Sequence, residues 1–170
     1  MVRQILRYPN PRLRRIARPV IDYDESLKNL SQDMFETMYH SSGIGLAATQ
    51  IDIHMRIIVV DVSRDQSSPL CLINPVIEEK SGTTESKEGC LSVPETVEYI
   101  NRAENIKVRA STEEGREFSF EAKGLLAICI QHEIDHLDGK LFVDYLSALK
   151  QSRLKKRILK MEQKEDLPIQ

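Results

Sequence analysis

No apolar run in this chain is long enough to cross a bilayer. The longest, such as RIIVVDV and GLLAICI, stop far short of the ~20 residues a spanning helix needs. Charge of neither sign is in excess: 24 basic residues face 26 acidic ones, a net of −2, so no overall field argues for DNA or another nucleic acid. Cysteine is scarce and odd in number. Cys71, Cys90 and Cys129 without a signal peptide argue against a disulfide framework and for a reducing compartment, so each is a core residue, a ligand or a nucleophile. There is no secretory apolar core at the start. The first stretch, MVRQILRYPNPRLRRIARPV, is Arg-rich and acid-free like a transit peptide, but it lacks serine and its three prolines break any long amphipathic helix. An ordered segment lying over the core is expected, and the cytoplasm is the expected location. No repeat, linker or shift of composition divides the chain, so residues 1–170 are expected to form one domain.

What is present reads as strands flanked by helices. Leu27, Leu30, Met34 and Met38 recur at helical spacing in DESLKNLSQDMFETMYHSSG, with an acidic start and Gly43 after the end. GIGLAATQ is small and rich in backbone freedom. RIIVVDV is a β-branched run of the kind buried on both faces. LCLINPVIEEK reads as a strand, then Pro75, then a strand, and SGTTESKEGCLSVP as a long loop or irregular strand. VEYINRAENIKVRAST and REFSFEAKG read as two strands around a Glu-Glu-Gly turn, because KVRAS and EFSFEA alternate apolar and polar. LLAICIQHEIDHLDG predicts a buried helix ending near Gly139, and SALKQSRLKKRILKMEQK a last, basic helix. The expectation is an α+β fold, with antiparallel or mixed sheets packed around the central helix.

QHEIDH, residues 131–136, carries the chemistry. On a helix, His132 and His136 leave one face a turn apart, and Glu133 lies about 100° around the axis. Such a helix offers two imidazoles to a metal and a carboxylate to a water beside it. Two histidines do not complete a site. A metzincin would place a third histidine at 142, where this chain has Phe142. Cys129 shares the face but stands about 10 Å from His136 along the axis, whereas ligand atoms on one metal lie about 3–4 Å apart. It is better read as packing. Glu162, in a charged terminal helix, is a weak candidate. Cys90, in KEGCLSVP between Gly89 and Pro94, sits on a rigid non-helical segment suited to bringing in a thiolate from outside the helix. The sequence does not itself show that contact.

Three stretches stand together: GIGLAATQ at 43–50, EGCLS at 88–92 and QHEIDH at 131–136. In order and spacing they resemble the three signature motifs of the peptide deformylases, and the resemblance runs from about residue 4 to residue 160. It implies an enzyme that removes the formyl group from the N-terminal formyl-methionine of new polypeptides and releases formate. By that resemblance Cys90, His132 and His136 would bind one divalent metal, Fe(II) in the cell, with zinc or nickel possible in preparations. Glu133 would be the acid and base, while Gln50 and the backbone N–H of Leu91 would hold the oxyanion. Gly45 and Gly89 would offer backbone partners to the peptide. Ile44, Leu125, Ile128 and Cys129 would line the pocket for the methionine side chain.

Two positions depart from the family's habit. Ser86 stands where an apolar residue is frequent at the pocket rim, and Val97 where a basic residue is common in bacterial members. Both put the preference beyond methionine in question, and neither is catalytic. Lys150, Arg153, Lys155, Lys156, Arg157 and Lys160 crowd the last helix. They form either a solvated cationic face or, as the resemblance implies, a dock on the ribosome near the peptide exit.

Overall fold

The structure, a computed structural model, describes residues 1–165. Helix α1 (Glu25–His40) begins at Asp24, whose carboxylate accepts from the Leu27 N–H at 3.1 Å and so caps the first turn. Next come β1 (Gly45–Ala47), a 3-10 turn over Ala48–Ile51, β2 (Ile57–Val60) and β3 (Leu70–Ser81). The chain continues through β4 (Thr84–Cys90), β5 (Val93–Arg102), β6 (Asn105–Ser111) and β7 (Glu117–Lys123). Helix α2 (Gly124–Leu137), a 3-10 turn over Phe142–Tyr145 and helix α3 (Ala148–Glu165) follow.

The strands form an antiparallel five-stranded sheet in the order β1-β2-β3-β6-β7 and a separate antiparallel hairpin, β4-β5. The α+β expectation holds, and the pairings of both sheets are antiparallel rather than mixed. Among the described residues no helix is long and apolar enough to cross a membrane.

Strand periodicity explains why β2 is wholly apolar. Ile58 and Val60 face α2, meeting Ile130, Ile134 and Leu137. Ile57 and Val59 face α1, meeting Leu27, Met34 and Met38. Both faces are covered, so no polar residue alternates. A third apolar cluster joins Val93 and Ile100 of the hairpin to Leu154 and Ile158 of α3 and to Phe142.

Several local expectations change. Pro75 does not split the strand: β3 runs through it with a register shift between Ile73 and Val76. Asn74 absorbs the shift at φ 51°, a left-handed conformation asparagine tolerates, and its side chain exchanges hydrogen bonds with both backbone groups of Val20 at 2.8 and 2.9 Å. The stretch around EGCLS is the irregular strand of the two alternatives: β4 shifts register between Gly89 and Cys90, and Leu91 and Ser92 form the turn into β5. VEYINRAENIKVRAST is two strands, the end of β5 and β6, and only the second pairs with β7.

Helix α2 is the axis of the molecule. Its end carries the Schellman pattern, with Gly139 N–H donating to His136 O at 3.1 Å and Lys140 N–H to Asp135 O at 2.8 Å. Gly139 has φ 73°, and a Cβ there would also stand 2.5 Å from the Arg14 carbonyl oxygen. The helix must stop here.

Candidate active site

Three segments converge on one end of a cavity of about 420 Å³. Helix α2 brings His132, Glu133 and His136, the end of β4 brings Cys90, and the 3-10 turn after β1 brings Gln50. The two His Nε2 atoms lie 3.2 Å apart, and Cys90 Sγ is 3.3 Å from His136 Nε2. All three candidate ligand atoms fall within 4.8 Å of one another. Cys90 is thus the residue that joins the histidine pair, and Cys129 and Glu162 do not.

Three observations test whether these donors fit a metal ion. The Glu88 carboxylate accepts from His132 Nδ1 at 2.9 Å, which fixes the proton on Nδ1 and leaves Nε2 as a lone-pair donor. Burial holds His136 well below its ordinary pKa, so its ring is neutral, as a ligand must be. His132 goes the other way. Burial opposes its protonation, yet its bonds to Cys90 and Glu88 raise it well above the ordinary value. A thiolate and two imidazole nitrogens suit a borderline divalent ion such as zinc, iron or nickel. The residues fit.

Glu133 is 4% exposed, and its Oε2 is a buried oxygen without a hydrogen-bond partner. Burial pushes its carboxyl up to about 7, with the His132 charge pulling against the rise. Such a group can both accept and return a proton near neutral pH. An orphaned buried oxygen on a cavity-lining residue needs a partner that donates.

Gln50 is 1% exposed and firmly oriented. Its Oε1 accepts from the Ala47 N–H at 2.8 Å, which turns Nε2 toward Ser92 Oγ at 3.1 Å and Cys90 Sγ at 3.6 Å. Ile44, Gly45, Gly89, Leu91, Leu125, Ile128 and Cys129 all line the same cavity. Cys129 is buried, its thiol donating to the Ile44 carbonyl at 3.5 Å and pushed up in pKa by that burial. Ile44 and Leu125 are part-exposed at the rim, and Ser86 and Val97 belong to the wall.

Sequence reasoning missed Glu88, Ser92 and Arg102. Glu88 and Ser92 stand inside the quoted EGCLS stretch and had a signal; Arg102 had none. Its guanidinium donates to both Glu88 oxygens at 2.9 Å across the hairpin, a contact that only β-pairing creates. That bidentate grip outweighs burial and holds the Glu88 carboxyl down at about 2.

The family model described as polypeptide deformylase matches residues 2–152. The chain belongs to the polypeptide deformylase family. A peptide deformylase from Legionella pneumophila is 44% identical, with a TM-score of 0.93 over 99% of this chain and 100% of its own. A peptide deformylase from Ehrlichia chaffeensis, solved in complex with actinonin, is 40% identical, with a TM-score of 0.91 over 95% of this chain and 98% of its own. A peptide deformylase from Thermotoga maritima is 41% identical, with a TM-score of 0.83 over 86% of this chain and 99% of its own. The three motifs of this deformylase are the three segments that meet at the cavity.

Proposed function

We propose that this chain, a metal-dependent deformylase of N-formylmethionyl peptides, works through Cys90, His132 and His136 as the holders of one divalent ion and Glu133 as acid and base. When bound, that ion supplies Lewis acidity to water and to the formyl oxygen. Glu133 takes the proton of the attacking water and delivers it to the leaving amine nitrogen, releasing formate. Gln50 Nε2–H and the Leu91 N–H hold the developing oxyanion, each contributing about 3 kcal/mol if preorganised as such donors are. The Ala47–Gln50 bond supports this role, because a carboxamide held at its oxygen does not need to turn during the reaction. Ile44, Leu125, Ile128 and Cys129 receive the methionine side chain, while Gly45 and Gly89 pair with the peptide backbone.

One observation carries this reading. A buried, unpartnered Glu133 oxygen belongs to a cavity that Cys90 and His132 of the Cys-His-His cluster also line. The experiment is formate release from formyl-Met-Ala-Ser by protein purified without oxygen, beside Glu133→Ala. Release that disappears in the variant supports it; no release from folded, metal-loaded wild type rejects it.

Fe(II) is the ion this reading assigns in the cell, and metal analysis of anaerobic preparations tests it. Zinc or nickel fits the same donors. The thiolate would leave an iron site open to oxidation at metal and sulfur. The cytoplasm, where new chains emerge, is the compartment this reading assigns.

The last element docks on the ribosome near the exit in this reading. Arg153, Lys155, Lys156 and Lys160 are exposed on α3, whereas Lys150 reaches Glu98 at 3.3 Å and Arg157 reaches Thr96 Oγ1 at 2.7 Å. Those four, with Lys164 near the end of the helix, are the exposed cations offered to a polyanion.

A further inference from the structure

Behind the cluster, four charged or polar side chains form a closed loop that begins and ends on α2. His132 Nδ1 meets Glu88 of β4 at 2.9 Å, Glu88 meets Arg102 of β5 twice at 2.9 Å, and Arg102 Nη1 returns to Asp135 of α2 at 2.6 Å. Tyr145, in the turn after the helix, donates its hydroxyl to the same Asp135 oxygen at 2.9 Å and lays its ring over the guanidinium, 5.1 Å from centroid to Cζ. The loop ties the helix that bears two of the three candidate ligands to the hairpin that bears the third.

We propose that Asp135 and Tyr145 are positioning residues for the metal site, acting through Arg102 and Glu88 on the orientation of His132. The proposal rests on the metal reading above. Arg102 has three arms in use, Nε and Nη2 on Glu88 and Nη1 on Asp135. A guanidinium is planar and rigid, so fixing Nη1 fixes the direction of the other two. Without Asp135 the plane is free to swing about its grip on Glu88, and the Glu88 oxygen that orients His132 moves with it. Tyr145 closes the outer side. Asp135 and Tyr145 border a surface cavity of about 480 Å³, where water can take the place of a lost carboxylate, so the Asp135→Asn protein is expected to fold.

The test uses the full chain loaded with Co(II), whose visible spectrum reports ligand geometry, and follows transfer of the ion to a chelator. The variants are Asp135→Asn, Tyr145→Phe and, for a conservative rescue, Asp135→Glu; Arg102→Ala is the control that opens the loop. Loss of an outer partner of a ligand costs 10–100-fold in metal affinity in comparable sites. The expected result is cobalt release about 10-fold faster in Asp135→Asn with an altered visible spectrum, a smaller change in Tyr145→Phe, partial recovery in Asp135→Glu, and a fall in kcat with KM held. A lower Tm with wild-type cobalt release and spectrum would make Asp135 merely structural and overturn the proposal. Wild type that takes up no cobalt at all would overturn the metal reading itself, and this proposal with it.

Discussion

Gly45 and Glu133 stand so close that no side chain fits between them. A Cβ on Gly45 would lie 2.5 Å from Glu133 Oε1 and 2.7 Å from Cys129 Sγ. The glycine of β1 therefore sets where the carboxylate rests against the cavity, and a methyl there has to move one of two buried groups. Gly45→Ala is expected to fold with a loss of about 1–3 kcal/mol, as overpacking costs. Formate release should fall about 100-fold, because a displacement of about 1 Å at a reacting group costs that much. Rates at equal metal content test this. A variant as active as wild type would mean that Glu133 works from another position.

Glu133→Gln keeps the shape of the side chain and removes its ability to take a proton. Its kcat should drop about 10²–10⁴-fold, the range general acid–base catalysis supplies, with metal content unchanged. Stoichiometric analysis of bound metal beside single-turnover formate release separates the two roles. Loss of the metal along with activity would instead make Glu133 a ligand or its support.

Ser86 and Val97 occupy the wall of the cavity, Ser86 buried and Val97 about half exposed at 54%. We expect a more open pocket beside the small Ser86 and no ion pair to a peptide from the uncharged Val97. Ser86→Ile and Val97→Arg should each redistribute kcat/KM across formyl-Met peptides that differ after methionine, with Val97→Arg favouring acidic ones. Identical profiles for wild type and both variants would remove these positions from specificity.

Helix α3 has a buried apolar face and an exposed basic one. Leu154 and Ile158 are buried against the hairpin, so truncation after Leu149 would cost stability as well as charge. Reversing Arg153, Lys156 and Lys160, which share one exposed face, leaves that packing intact. Ribosome affinity should weaken, and the slope of log affinity against log salt should fall by about 1 for each charge that meets a phosphate, while short-peptide hydrolysis stays constant. Unaltered sedimentation with ribosomes would rule this face out.

Asp61, which is none of the candidate ligands, should contribute to the loss of stability in acid. Burial alone would raise its carboxyl, but Ser63 and the Tyr39 hydroxyl donate to it and bring it below the ordinary carboxylate value. A folded-state pKa below the unfolded one means stability that is present above the unfolded value and is lost as pH falls through the folded one. Chemical denaturation at a series of pH values below about 4 should show part of that loss removed in Asp61→Asn, at a lower plateau near neutrality. Parallel curves for the two proteins would assign the acid limb to other carboxylates.

The sequence by itself determined the metal helix, because helical spacing is a local property: His132 and His136 must share a face once the segment is helical. It determined the two-sided burial of β2, since an unbroken β-branched run has no polar face to offer. The family was legible too, from the order of three short motifs. What only the tertiary structure decided is everything that joins residues distant along the chain. Cys90 as the partner of the histidines depends on how the β4-β5 hairpin docks on α2. The inward turn of Gln50, which on its own reads as a surface residue, comes from the Ala47 N–H and the packing of Ser92. Arg102 shows the reason most plainly. Nothing near it in YINRAENI marks it, because its partners Glu88 and Asp135 are brought to it by strand pairing and by helix packing. A buried charge acquires its meaning from what surrounds it, and for Arg102 that surrounding exists only in the folded chain.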